Sequence, residues 1–428
     1  MLAANVSRRR LLVAIGLALF ASAASAGAAS AAPHKGAVVP DRYIVVFKPG
    51  TDGPAKRAQK LTDEHGGRLD HTYTHALKGF SARLSDQAVK QLRSEPAVKS
   101  IEPDRIVQLD DIQTTGVAWG LDRIDQREPW SLTGVHSYND YNGGSGVHAY
   151  VLDSGIKLSH SEFAGRLGTS YDAVTLGEHG NDCNGHGTHV AGLLGGQTYG
   201  VAKKVVLHPV RVTDCNGGGW ASRLIWGIDW VVRDRTAPPP RCPRQRRRRV
   251  GCAAVEGGAP KVKPAVANIS ASVKDGTSDA VDDAVNHLIL AGVTVAVSAG
   301  NDNADACNES PARVPNAITV GATTDSDSRA WFSNYGKCVD VFAPGHDIKS
   351  AGIGDDPTTA VKFDSGTSMA SPFAAGVAAL YLSQYPSVTP GTIHSKIVKF
   401  ATNDIVTNPG TDSPNKLLYN NILEMGAP

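Results

Sequence analysis

From about residue 112 onward, short apolar runs of strand length alternate with longer stretches of helical length. The runs rich in β-branched residues predict buried strands at 146–152, 205–212, 265–269 and 293–297. The stretches between them predict helices at 187–195, 222–232 and 279–291. Strands that alternate with helices indicate an α/β domain with a mostly parallel sheet. In such a sheet, functional residues lie at the carboxyl ends of the strands.

Residues 41–110 precede this domain and follow a different pattern. Strand-like stretches lie at 41–47, 79–84 and 98–109, and helical stretches lie at 54–64 and 85–96. This order indicates a small α+β module of the βαββαβ type, near the lower size limit for independent stability. The module contains no cysteine and no clustered catalytic side chains. By itself it is typical of a binding or folding unit.

The N-terminus has the pattern of an export signal. A basic segment, Ser7–Arg10, leads into an apolar run at 11–24, and small residues with A-x-A spacing follow. This pattern predicts a signal peptide over residues 1–32 and a secreted protein. The run is shorter than the roughly 20 residues of a membrane span, so we expect no stable membrane association. The adjacent arginines fit both a twin-arginine signal and an ordinary export signal.

Length, charge and cysteine content narrow the function classes. The 428 residues allow a large domain plus an accessory one. A formal net charge of +2 gives no support for a nucleic-acid surface. None of the six cysteines forms a C-x-x-C pair, and an exported chain sits in an oxidising compartment. We therefore expect disulfides rather than a zinc site.

Residues 233–263 interrupt the α/β pattern. The segment contains eight arginines and shows no hydrophobic periodicity. Such a composition cannot bury a core and predicts a disordered, Arg/Pro-rich insert. A basic arm for polyanions and a slip of the reading frame both account for it. Cys242 and Cys252 lie within the insert, and the sequence leaves open whether they pair.

Four polar residues stand where the predicted elements meet. Ser368 lies between a glycine turn and the apolar helix at 373–380, where free backbone N–H groups can stabilise an oxyanion. Asp153 ends a predicted strand, His186 lies between glycines ahead of a helix, and Asn301 follows a buried strand. Taken singly, the aspartate and the asparagine are equally typical of turns.

Together these residues resemble a known family. Asp, His and Ser follow one another in the subtilisin order. The matching stretches are 150–155, 184–192, 299–301 and 366–372. The chain from about residue 112 resembles the subtilisin-like serine proteases, nearest to their proteinase K branch. The resemblance implies a subtilisin-like three-layer domain over residues 112–428, preceded by an inhibitory propeptide over 41–110.

The resemblance also implies a catalytic role for each polar residue. Ser368 would attack the peptide carbonyl, His186 would take its proton, and Asp153 would orient the imidazole. Asn301 and the Ser368 N–H would form the oxyanion hole. The propeptide would cover the cleft as an intramolecular inhibitor until the precursor cleaves itself near residues 109–113.

Substrate-binding, metal and disulfide positions carry over in the same way. An extended peptide would pair with two strand edges, formed by Gly217, Gly218, Gly219 and Trp220 and by Ser270, Ala271 and Ser272. A structural Ca²⁺ would bind the carbonyl groups of Pro315 and Ala317 and the carboxylate of Asp340. Disulfides would join Cys183 to Cys215 and Cys307 to Cys338. The implied preference is broad, with apolar or aromatic residues before the cleaved bond, and the implied state is a monomer.

Ser272 departs from the family pattern. Relatives have a glycine there, which lets the substrate backbone approach closely, and a seryl Cβ can narrow the pocket.

We interpret the chain as a secreted, autoprocessed serine endopeptidase and keep two alternatives. One is a catalytically impaired homologue. The other is an inhibitor or binding protein that acts through residues 41–110.

Overall fold

The computed structural model describes residues 38–109, 119–128, 141–175, 179–236, 262–273 and 276–427. The predicted signal peptide, the segment 110–118 after the N-terminal module and most of the predicted insert, 237–261, lie outside this part. Cys242 and Cys252 lie outside it as well.

The N-terminal module has the predicted βαββαβ order. Its elements are β1 (Val38–Phe47), α1 (Pro54–Glu64), β2 (Arg68–Tyr73), β3 (Gly79–Arg83), α2 (Asp86–Leu92) and β4 (Val98–Leu109). Strand β1 pairs antiparallel with both β3 and β4. Successive side chains of a strand point to opposite faces. Accordingly, Val45 and Phe47 pack in a core with residues of α1 and α2, while Ile44 and Val46 join the core of the following domain.

The second part of the chain has the predicted alternation of strands and helices. Its elements are α3 (Gly120–Ile124), β5 (His148–Asp153), β6 (Tyr171–Asp172), α4 (His186–Gly195), β7 (Val206–Arg211), β8 (Gly218–Trp220), α5 (Ala221–Thr236), β9 (Ala265–Ile269), β10 (Ala271–Ser272), α6 (Asp279–Leu290), β11 (Val293–Ser298), β12 (Ile318–Thr323), β13 (Val341–Pro344), β14 (Ile348–Ala351), β15 (Val361–Asp364), α7 (Thr367–Gln384), α8 (Pro390–Phe400), β16 (Thr402–Asn403), β17 (Lys416–Leu417) and α9 (Ile422–Met425).

Within the described residues, nine strands form the main sheet in the order β16-β17-β13-β12-β11-β9-β5-β7-β6. The described pairings in it are parallel, apart from that of β16 with β17 at one edge. Ala149 and Val151 of β5 pack with residues of α4 and α7, and Tyr150 and Leu152 pack with residues of α5 and α6. Helices therefore cover both faces of the sheet, which confirms the predicted three-layer architecture and explains why its central strands are mostly apolar.

Helix α5 continues four residues into the range that the sequence assigned to the disordered insert. Asp234 on its last turn accepts hydrogen bonds from the Tyr150 hydroxyl (2.8 Å) and from Lys263 Nζ (3.2 Å). Arg235 donates to the carbonyl oxygen of Lys263 at 3.1 Å. These contacts join the two ends of the predicted insert, so its start at residue 233 was placed too early.

Both predicted disulfides are present. Cys183 is bonded to Cys215, which ties the loop ahead of α4 to the loop after β7. Cys307 is bonded to Cys338, which ties the loop after β11 to the residues ahead of β13. In the part of the chain that the structure describes, no helix is long and apolar enough to cross a bilayer.

A buried ion pair fixes the start of the second domain. Arg123 on α3 donates to both carboxylate oxygens of Asp327, through Nε at 2.7 Å and Nη2 at 3.0 Å. The two side chains are only 1% and 4% exposed. A two-point contact at this depth holds α3 against the turn after β12.

We expect Asp327→Ala to lower the free energy of unfolding by about 3–5 kcal/mol, because it leaves the Arg123 guanidinium buried without its counter-charge. The change in the free energy of unfolding is measured by urea denaturation, monitored by fluorescence. The matched control is Asp279→Ala, which removes an 84%-exposed partner of Arg313 and should cost less than about 1 kcal/mol. Equal losses in the two variants would contradict the prediction.

Candidate active site

Asp153 and His186 meet at the carboxyl edge of the sheet. Asp153 is the last residue of β5, and His186 is the first residue of α4. His186 Nδ1 lies 2.8 Å from Asp153 Oδ1, and both side chains are fully buried. Burial raises the pKa of Asp153, and the neighbouring His186 opposes this effect. The pair can therefore hold the imidazole in one orientation, with Nδ1 facing the carboxylate.

Glycines around His186 make this contact possible. Gly185, at the N-cap of α4, has a φ of 105°, a conformation that favours glycine. A Cβ on Gly187 would collide with the carbonyl oxygen of Gly155 and lie 3.0 Å from Asp153 Oδ1. Small residues are therefore required on both sides of the histidine for α4 to start against the end of β5.

Ser368 is the second residue of α7, a helix that packs against α4. Its hydroxyl donates to the carbonyl oxygen of Ser270 at 3.4 Å. In return, the Ser270 hydroxyl donates to the carbonyl oxygen of Ser368 at 3.1 Å. The predicted nucleophile and base thus stand at the N-termini of two packed helices, beside the segment that joins β9 to β10.

Asn301 lies three residues beyond β11 and faces the start of α7. Its Oδ1 accepts from the backbone N–H and from the hydroxyl of Thr367, both at 2.9 Å. Because the Thr367 N–H can only donate, the side-chain oxygen of Asn301 must face Thr367, and Nδ2 must face away from it. Nδ2 is buried and has no hydrogen-bond partner among the described residues. A buried donor next to Ser368 is what an oxyanion site needs.

Both predicted peptide-binding edges are paired with the chain's own strand β4. Residues Ile106–Gln108 pair antiparallel with Gly218–Trp220 of β8. Gln108 and Leu109 pair with Ser272 and Ala271 of β10. The end of the N-terminal module therefore lies between the two edges as an extended peptide. Gly217 lies outside the pairing, in the turn ahead of β8, where its N–H donates to the carbonyl oxygen of Asp214.

Ser272, the residue that departs from the family pattern, is fully buried. Its Cβ does not keep a peptide backbone away, since Gln108 pairs with it directly. On the other edge, the guanidinium groups of Arg42 and Arg223 lie over the Trp220 ring, 4.1 and 4.2 Å from its centre.

Carboxylates of the N-terminal module bind the N-termini of two helices of the second domain. Asp104 accepts from the backbone N–H of Ser222 at 3.1 Å and from its hydroxyl, at the start of α5. Glu102 accepts from the Ser278 hydroxyl and from the Ala280 N–H at 3.3 Å, at the start of α6. Free N–H groups and the helix dipole favour an anion at both places. Burial raises the pKa of both carboxyl groups.

In a third contact, the carboxylate belongs to the second domain and the N–H groups belong to the module. Asp229 of α5 accepts from three successive N–H groups of the module, those of Thr74 (3.0 Å), His75 and Ala76 (2.9 Å). The sequence predicts none of these three contacts, because a single chain gives no signal that links residues more than a hundred positions apart.

The predicted calcium ligands lie at the starts of two neighbouring strands. Asp340 Oδ2 accepts from the Thr319 N–H at 2.8 Å, which places the carboxylate next to the turn that holds Pro315 and Ala317. Asp340 Oδ1 lies 3.1 Å from His394 Nε2. Backbone carbonyl groups and a carboxylate are oxygen donors of the kind that Ca²⁺ takes, so the residues present fit the ion.

Comparisons with known proteins identify the family. The Subtilase family model matches residues 144–417, and the Peptidase inhibitor I9 model matches residues 42–110. The chain belongs to the subtilase family, and it is a subtilisin-type serine peptidase with an inhibitor-type module ahead of the enzyme domain. The predicted family and fold are confirmed.

Individual relatives agree with this assignment. An extracellular serine proteinase of Thermus sp. (strain Rt41A) is 48% identical over 401 residues, which cover 89% of this chain and 90% of the relative. A subtilisin-like serine protease of Penicillium rubens, Pen ch 18, is 37% identical and covers 89% of this chain and 81% of the relative. A crystal structure of a cold-adapted subtilisin-like serine proteinase matches with a TM-score of 0.60 and 45% identity, covering 72% of this chain and 99% of that one.

One histidine of the N-terminal module packs against α5. His71 stacks on Trp226 with 3.7 Å between ring centres. Burial, followed by the charges of Arg223 and Arg42, lowers the pKa of His71 to about 4. A free histidine titrates near 6.5, so a module separated from α5, with this ring exposed to water, would bind a proton between about pH 6.5 and 4 that the docked module does not bind. Acidification in this range therefore weakens docking.

We expect His71→Phe, which keeps a stacking ring without a titratable group, to lose this part of the acid response. In the unsubstituted protein, the lag before activity appears after processing should shorten between pH 7 and pH 5; in the variant it should shorten less. The lag is measured on freshly secreted protein with a chromogenic peptide. His287→Gln, on the exposed side of α6, is the control. An identical pH response in all three proteins would contradict the prediction.

Proposed function

We propose that this protein is a secreted serine endopeptidase, made as a precursor that processes itself. The observation that carries the proposal is the position of β4. An extended stretch of the chain lies between β8 and β10 and ends at Leu109, opposite Ala271. The neighbouring residue, Ser270, accepts a hydrogen bond from the Ser368 hydroxyl. A peptide bound in this way brings its backbone to the nucleophile.

The chemistry of the proposed reaction assigns one role to each site residue. Ser368 Oγ attacks the peptide carbonyl carbon while His186 Nε2 takes the hydroxyl proton, and Asp153 stabilises the imidazolium at Nδ1. The negative charge on the carbonyl oxygen is stabilised by Asn301 Nδ2 and the Ser368 N–H. The imidazolium then protonates the leaving amine, which departs and leaves an acyl-enzyme. Water, deprotonated by His186, hydrolyses the ester and regenerates Ser368.

We assign three parts to the precursor. Residues 1–32 are the export signal, of the twin-arginine or the ordinary type, residues 41–110 are the inhibitory propeptide, and residues 112–428 are the enzyme. The propeptide is the chain's own first partner, since β4 occupies the substrate edges and its carboxylates bind the starts of α5 and α6. Cleavage near 109–113 separates the two, and the enzyme then acts as a monomer on protein substrates.

Calcium has a structural role in this proposal. Pro315 and Ala317 would provide carbonyl oxygens and Asp340 a carboxylate, and the bound ion would link the turn ahead of β12 to the start of β13. Because the ion binds only the folded state, it stabilises that state by mass action.

Replacing the nucleophile tests the function. We expect Ser368→Ala to stay unprocessed and to hydrolyse no casein, whereas the unsubstituted precursor yields a product cut near residues 109–113 by intact mass. Ser383→Ala, on the last turns of the same helix, should mature normally. Casein hydrolysis by Ser368→Ala, or none by the processed unsubstituted enzyme, would overturn the proposal.

Asn301→Ala tests the oxyanion donor separately. Loss of one such donor typically lowers kcat by about 10²–10³-fold, and we expect KM to change little because the contact forms mainly in the transition state. Steady-state kinetics on a peptide substrate give both values. A large rise in KM with kcat unchanged would show that Asn301 binds substrate instead.

Calcium removal tests the metal proposal. We expect a chelator to lower the midpoint of thermal unfolding of the mature enzyme and added Ca²⁺ to restore it. In Asp340→Asn the midpoint should already be low and should respond weakly to either treatment. Asp355→Asn, in an exposed loop, should respond like the unsubstituted enzyme. A full calcium response in Asp340→Asn would exclude this carboxylate as a ligand.

A further inference from the structure

The second domain has a place that holds a carboxylate of the N-terminal module. Asp104 is fully buried there, and its carboxylate accepts from the backbone N–H of Ser222 at 3.1 Å and from the Ser222 hydroxyl. A further donor, the N–H of Arg105 at 3.0 Å, belongs to the module itself. Ser222 lies in the first turn of α5, a helix of 16 residues, where unsatisfied N–H groups and the helix dipole favour an anion.

A cation of the second domain lies beside this carboxylate. Arg223 follows Ser222 in α5, and its guanidinium lies 4.2 Å from the centre of the Trp220 ring. Burial lowers the pKa of Arg223, and the charges of Asp214 and Asp104 oppose that effect. Asp214 is held in its own turn, where Oδ1 accepts from the N–H of residue 218 at 3.1 Å. Arg223 and the ring beneath it both belong to the second domain, so they would stay after the module has left.

The start of α6 is less suited to an anion than the start of α5. Glu102 of the module accepts from the Ser278 hydroxyl at the start of α6, but Asp279 and Asp282 lie in the first turn of that helix. Burial raises the pKa of Glu102, and the charges of these two aspartates raise it further. The first turn of α5 contains no acidic residue. Of the two helix starts, α5 therefore favours a carboxylate more strongly.

The register of β4 shows which residue of a bound peptide reaches the start of α5. Ile106 pairs antiparallel with Trp220, so the same register continued by two residues places Asp104 opposite Ser222. Asp104 lies five positions before Leu109, the residue that pairs with β10. Successive side chains of a strand point to opposite faces, so the neighbouring residue of the peptide faces away from α5. A substrate that takes the place of β4 would present one defined side chain to this helix.

We propose that the start of α5 is a substrate subsite that selects an acidic side chain five positions before the residue that pairs with Ala271. This inference rests on the proposed peptidase function and deepens it. Ser222 provides an N–H and a hydroxyl donor, and Arg223 provides the counter-charge once the module, with its own Arg42, has left. Hydrogen bonds to an ionised acceptor are stronger than those to a neutral one, so Asp binds more tightly than Asn. A peptide without an acidic residue there still binds through the backbone ladder.

The test compares matched peptides on the matured enzyme. The parent is an internally quenched peptide with residues 100–115 of this chain, and two others carry Asp104→Asn or Glu102→Gln; mass spectrometry identifies the cleaved bond. We expect Asp104→Asn to lower kcat/KM about 3- to 10-fold, mainly through KM, the scale of a carboxylate at a helix N-terminus next to a cation. Glu102→Gln should lower it less than about twofold. An unchanged value for the Asp104→Asn peptide, or an equal loss for the Glu102→Gln peptide, would overturn the inference.

Substitutions in the enzyme assign the selection to the subsite. Arg223→Gln should lower the ratio of kcat/KM between the parent and Asp104→Asn peptides at least about twofold. The matched control is Arg233→Gln, which removes the same charge from an exposed position in the last turn of α5; its ratio should not change. An unchanged ratio in Arg223→Gln would contradict the assignment. If that variant does not mature, Ser222→Ala removes the hydroxyl donor and gives the same comparison with the same criterion.

The outcomes also separate this inference from the function on which it rests. If no peptide is cleaved and a fluorophosphonate probe does not label Ser368, the peptidase proposal fails. If the three peptides are cleaved with equal kcat/KM, the peptidase proposal stands and the acidic subsite fails.

Discussion

The structure depends on one constraint, that parallel strands end at the same edge of their sheet. Strand β5 delivers Asp153 to that edge, β9 leads into the Ser270 segment, and β11 leads to Asn301. Two helices, α4 and α7, begin there and carry His186 and Ser368 in their first turns. Because α4 and α7 pack on the same face of the sheet, residues as distant in sequence as Asp153 and Ser368 lie at one edge of it.

The same edge accounts for both the proposed inhibition by the module and the proposed binding of substrates. Strands β8 and β10 belong to the second domain, yet they pair with β4 of the N-terminal module. A backbone ladder of this kind does not depend on side chains, so a protein substrate can take the place of β4. The additional contacts of the module, Asp104 and Glu102 at two helix N-termini and the three N–H groups on Asp229, have no counterpart in an ordinary substrate. In the proposed precursor, these contacts would distinguish the inhibitory module from a peptide that is cleaved and released.

The sequence by itself determined the fold and the chemical class, because both are encoded locally. Apolar runs of strand length, glycines around His186 and Ser368, and the order of four motifs are all readable within short windows. Both disulfides were inferred from resemblance and are present. Only the tertiary structure decided that α5 extends to Thr236, that Asn301 turns its amide nitrogen away from Thr367, and that Asp104 and Asp229 join the N-terminal module to the second domain. Each of these depends on contacts between distant positions, and a linear pattern does not record which distant residues will share a buried space.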